Sequence, residues 1–155
     1  MSSHRTPSLI AAVFAAAFAG PATAQIAVSD AWVRGTVAGQ MSTGAFMRLS
    51  SPADMTLVGV ASPAAKVVEL HEMKMDGGMM KMSAVGRLPL PAGKSIELKP
   101  GGYHVMLMDL KQPVKNGESV PLKVTVEYAD SKRETIDVKA PVRGVGTSEQ
   151  HKHQH

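Results

Sequence analysis

No cysteine occurs anywhere in the 155 residues. That absence removes every disulfide framework, so an exported version of this chain holds its fold by core packing alone. It also removes the thiolate on which blue-copper electron-transfer sites depend, every thiol redox mechanism, and lipid attachment at a cysteine after a leader. Aromatic residues are scarce: one Trp, two Tyr and three Phe. The Lys and Arg residues are scattered among acids, with a net charge of only +4. A chain with neither a basic stripe nor stacking platforms is a poor fit to nucleic acid. Beyond the first residues no apolar run is long enough to span a bilayer, so no transmembrane segment is expected in the mature chain.

The N-terminus reads as an export signal. Arg5 precedes the apolar stretch from Leu9 to Ala19, Gly20-Pro21 breaks it, and Ala22-Thr23-Ala24 offers small residues at the cleavage positions before Gln25. The expected division is a signal peptide over 1–24, a single domain over 25–143 and a flexible tail over 144–155, with the mature protein in the periplasm of a Gram-negative cell. The domain is long enough for one core and too short for two.

Short β-rich runs separated by turn residues predict an all-β, antiparallel sandwich or barrel. Nine candidate strands are legible: 26–34, 44–50, 55–61, 66–73, 79–85, 95–98, 103–110, 120–128 and 133–138. Ser51-Pro52, Asp76-Gly77-Gly78, Pro89–Gly93, Pro100-Gly101-Gly102 and Asn116-Gly117 lie between them.

What the chain has in abundance is methionine, 11 residues, placed around two histidines. His71 is followed after ten residues by Met82, after a further twenty-one by His104, and after one more by Met106. Imidazole and thioether together form a soft, neutral ligand set that suits Cu(I), whereas zinc takes Cys, His and carboxylates, and Mg or Ca take oxygen. On a strand, residues two apart share a face, so His104 and Met106 can aim at one point. Asp76-Gly77 as a two-residue hairpin loop would set His71 directly opposite Met82. Met41, Met47 and Met55 read as packing or surface. Met73, Met75, Met79, Met80 and Met108 are either core or a flexible copper-collecting surface; packing is the preferred reading because no spacing singles them out, and Met73 is the best spare ligand because it shares the His71 face. A separate alternating run, His151, His153 and His155, has the composition to chelate Cu(II).

The pattern His71-x10-Met82-x21-His104-x-Met106 resembles the ligand motif of the periplasmic copper chaperones called PCuAC. The segments VVELHEMKMDGGMMKM and LPLPAGKSIELKPGGYHVMLMDLKQPVKNGESVPLKVTVEY are similar to that family, and the likeness runs from about Ile26 to Val138. It implies a cupredoxin-like β-sandwich or barrel with one Cu(I) on His71, Met82, His104 and Met106. It also implies delivery to the binuclear copper centre of cytochrome c oxidase, with the oxidase subunit II copper domain or a Sco-type protein as the accepting partner. Some members carry a His- or Met-rich extension for Cu(II), to which His151–His155 is similar. No catalytic set stands out. The competing readings are a copper storage or resistance protein, a copper oxygenase, disfavoured because the mature first residue would be Gln25 and not His, and a metal-free structural sandwich.

Overall fold

The computed structural model describes residues 25–144; the expected signal peptide and the expected His151, His153 and His155 tail lie outside the described residues. Ten strands form: β1 (Ala27–Arg34), β2 (Ser42–Ser50), β3 (Met55–Ala61), β4 (Ala65–Asp76), β5 (Met79–Ala84), β6 (Leu88–Leu90), β7 (Ser95–Leu98), β8 (His104–Leu110), β9 (Ser119–Tyr128) and β10 (Arg133–Arg143). Their hydrogen-bonded order is β5-β4-β8-β2-β1-β10-β9-β3-β6, with β7 laid against β2. All the pairings are antiparallel except β1 with β10, which join in parallel at Val33/Val142 and Arg34/Arg143. The result is the all-β cupredoxin-like barrel expected from the sequence. No helix among the described residues is long and apolar enough to cross a membrane.

Alternation builds the core. In β9, Val120, Leu122, Val124 and Val126 are buried, while Ser119, Pro121 and Lys123 between them are exposed. In β8, Val105, Leu107 and Leu110 point inward against Val68 and Leu70 of β4. Because side chains alternate, the other face of β4 and β8 is left to His71, Met73, His104 and Met106. The core therefore supports the His/Met face from behind without containing it.

Two strands depart from the sequence reading. Leu88-Pro89-Leu90 was expected to be loop, yet it pairs with Met55–Leu57 as the last strand of the order. Leu88 and Leu90 are buried and Pro89 faces out, and a terminal strand tolerates a residue that has no N–H to donate. β10 runs on to Arg143, past the expected stop at Val138. Pro141 occupies the last pair with β9, and β10 then crosses to β1.

The β4–β5 hairpin corrects the expected register. Its loop is Gly77-Gly78, so Asp76 pairs with Met79, Met75 with Met80, Met73 with Met82, and His71 with Ala84. Gly77 has φ 59° and Gly78 φ 81°. A two-residue turn matched to strand twist needs positive φ at both centres; Asp-Gly is a favoured pair for it, but two glycines reach it without the Cβ cost that Asp76 would bear. The slip is two residues, so Met82 keeps the His71 face but sits diagonally from it. Gly77→Val puts a β-branched side chain at positive φ, at a cost of about 1–2 kcal/mol. Expected are a matching loss in urea denaturation and weaker Cu(I) uptake, although no ligand is removed.

Candidate metal centre

β4 and β8 bring the two histidines together. His71 and His104 are direct cross-strand partners, with ring centroids 6.0 Å apart and planes tilted by 57°. Glu69 is the partner of Met106 on the same face, one pair further along. Gly44 of β2 flanks Met106 on its other side. Met82 comes from β5, beyond β4, opposite Met73. The face thus carries His71, His104 and Met106 in one block, with Met73 and Met82 adjoining it.

Each imidazole is held by one nitrogen. His104 Nδ1 lies 3.0 Å from the carbonyl of Gly102, which can only accept, so Nδ1 carries the proton and Nε2 keeps its lone pair. His71 Nε2 lies 2.8 Å from Glu69 Oε2, which makes Nε2 the donor and leaves Nδ1 as the lone-pair nitrogen. That Nδ1 is buried and has no hydrogen-bond partner. A buried acceptor without a partner costs about 1–3 kcal/mol, and a metal ion is one group that would satisfy it. Metal-ligating histidines characteristically give the other ring N–H to a carboxylate or a backbone carbonyl, which is what Glu69 and Gly102 accept here.

The loop before β8 supplies this orientation. Lys99 N–H donates to Tyr103 O at 2.9 Å, Gly102 N–H to Lys99 O at 3.0 Å, and Met73 N–H to Gly102 O at 3.3 Å. His104 is only 6% exposed beneath this loop, whereas Met82 is 49% exposed. The face is therefore graded, with an imidazole floor and a thioether rim. Among the described residues no group of three or more His, Cys, Asp and Glu is placed to hold a metal, so a hard-ligand site of that kind is not present there.

Glu69 and Gly102 were not singled out from the sequence. The Glu69-x-His71 spacing puts both residues on one strand face, a signal that was there to be read. The Gly102 contribution is a backbone carbonyl, which has no sequence signature. Of the other methionines, Met47 and Met55 are buried as expected, and Met41 is exposed. Met75, Met79 and Met80, for which packing is the preferred sequence reading, are instead exposed: β5 is a terminal strand, and β4 at Met75 runs on past its last pair with β8.

Residues 26–142 match the family model described as "Putative lipoprotein LpqE-like". The chain belongs to this family, the PCuAC family. A "Putative lipoprotein" of Leifsonia xyli subsp. xyli is 33% identical over 129 residues, covering 82% of this chain and 75% of the relative. The family and that relative carry a name associated with export; this sequence has no cysteine to bear a lipid. Apo-DR1885 from Deinococcus radiodurans is similar in structure with TM-score 0.59 and 33% identity, covering 93% of this chain and 94% of that one. The Cu(I) form of DR1885 has TM-score 0.57 and 36% identity, covering 79% and 81%. The copper-bound PCuAC domain from PmoF2 has TM-score 0.57 at 21% identity, covering 76% and 93%, and supports the PCuAC fold alone.

Proposed function

We propose that this PCuAC chain is an exported copper carrier that holds one Cu(I) on His71, Met82, His104 and Met106 and passes it on without chemistry of its own. The observation that carries the reading is the paired histidines: each is oriented through one nitrogen and offers the other from a methionine-bearing face. Two imidazoles and two thioethers suit a soft monovalent ion and leave its charge unneutralised. An anionic thiolate acceptor can then draw the metal off by ligand exchange. The Cu(I) form of the Deinococcus relative supports the choice of metal.

In this reading residues 1–24 are cleaved before Gln25, residues 25–143 are the copper domain in the periplasm, and the His151, His153 and His155 tail holds Cu(II) separately. The recipient is the binuclear copper centre of cytochrome c oxidase, reached directly at the subunit II copper domain or through a Sco-type protein.

X-ray absorption of the Cu(I) form should show about two nitrogen and two sulfur scatterers. With no cysteine in the chain, any sulfur shell is thioether. Incubation with the apo copper domain of the oxidase should move copper to the recipient, read as metal content after separation. A shell of nitrogen and oxygen only rejects the ligand set, and retention of copper favours storage.

A further inference from the structure

The β4–β5 hairpin has two chemically distinct faces. One carries Glu72, Lys74, Asp76, Lys81 and Ser83, with Met79 beside the turn and ion pairs Lys74–Glu72 at 2.9 Å and Lys81–Asp76 at 2.8 Å. The other carries two consecutive cross-strand methionine pairs, Met75 with Met80 and Met73 with Met82. Directly opposed Cβ atoms on such a ladder stand about 4.5–5.5 Å apart, and unbranched thioether arms reach easily across that gap. Met75 is 68% exposed and Met80 50%, so these sulfurs are neither packing nor covered.

Methionine is an unusual choice for an uncovered strand face, which gains more from β-branched or charged residues and risks association when apolar. What four methionines supply there, and Leu or Val would not, is sulfur. The same face continues along β4 to His71 and across to His104.

We propose that Met75 and Met80, with Met73 as third ligand, form a second Cu(I) site made only of thioethers at the outer end of the hairpin. This rests on the reading that the His71/His104 centre takes Cu(I). The thioether site binds more weakly, because its ligands are mobile and must be ordered on capture, and because it lacks imidazole. Cu(I) enters or leaves through it by stepwise exchange of neutral ligands, with no change of oxidation state: Met75 and Met80 give way to Met82 and His71 as the ion moves inward along one face.

The test uses residues 25–155, tail included, titrated anaerobically with Cu(I) and read by native mass spectrometry and by Met ε-methyl NMR. Met75→Leu with Met80→Leu keeps bulk and apolarity and removes only sulfur. The double variant should bind one Cu(I) fewer than the parent chain and keep the tighter equivalent. In the parent chain the Met75 and Met80 methyl signals should move during the weaker equivalent only. Unchanged stoichiometry with unmoved methyls overturns the proposal and leaves an apolar docking face; loss of the tight equivalent overturns it by making these thioethers part of the inner centre. His71→Ala with His104→Ala separates the two readings. If it removes the tight equivalent alone, both sites stand. If it removes nothing while the methionine variant loses one equivalent, the histidine centre fails and the thioether site stands. If it removes both equivalents, the thioether site is not independent.

Discussion

Replacing His104 and Met106 together by alanine should abolish tight Cu(I) binding and leave a folded barrel. The floor of the effect is set by the about 10–100-fold that loss of an outer-shell partner alone costs a metal site; losing two ligands exceeds it. The fold survives because His104 and Met106 stand on the face of β8 away from the core, which Val105, Leu107 and Leu110 fill. Some stability is lost even so, because the Gly102 carbonyl loses the shorter of its two hydrogen bonds and keeps only the one from Met73 N–H. Met106→Leu is the cleaner single change: it keeps the side-chain volume, removes sulfur and should weaken Cu(I) with little change in urea midpoint. Acidification should mimic the histidine half of the effect, since a protonated imidazole has no lone pair to offer while thioethers do not titrate. Competition titrations from neutral to acid pH check this. Unaltered affinity in the double variant would remove β8 from the site.

Leu107→Ala should give a large loss of stability while touching no proposed ligand. Leu107 is fully buried on the inner face of β8, between the positions that carry Met106 and Met108 outward. Large-to-small changes at such sites cost about 2–5 kcal/mol, out of the roughly 5–15 kcal/mol that hold a domain folded. The expected fall in Tm is about 8–20 °C for a domain of this size. Cu(I) should return part of it: a ligand bound only by the folded state adds about 2.7 kcal/mol at one hundred times its Kd. Thermal unfolding of apo and Cu(I)-loaded Leu107→Ala checks both halves. A variant as stable as the parent would mean that the wall behind the histidines is not the packed core described here.

Much of this was legible in the linear sequence because it is local chemistry. Short β-rich runs such as 120–128, with turn residues between them, point to the all-β class, and the soft ligand types at His71, Met82, His104 and Met106 point to Cu(I). A period of two also placed His104 beside Met106. Three features lay beyond local reading. Gly77-Gly78 and not Asp76-Gly77 closes the hairpin, since two glycines take positive φ at both turn centres at less cost than Asp-Gly; the resulting shift by two residues preserved the face while changing the partner. Leu88–Leu90 became a strand only because β3 offered it a terminal position where proline is harmless. The meeting of His71 with His104 is a pairing of β4 with β8 across thirty-odd residues of chain, and only tertiary structure decides such a pairing, because no local propensity records which strand edge a distant segment will find. For the same reason the sequence determined which side chains could bind a metal, whereas the sheet order determined that His104 stands buried and His71 half-buried, both oriented, while the thioethers of β5, a strand with a neighbour on one side only, stand open to solvent.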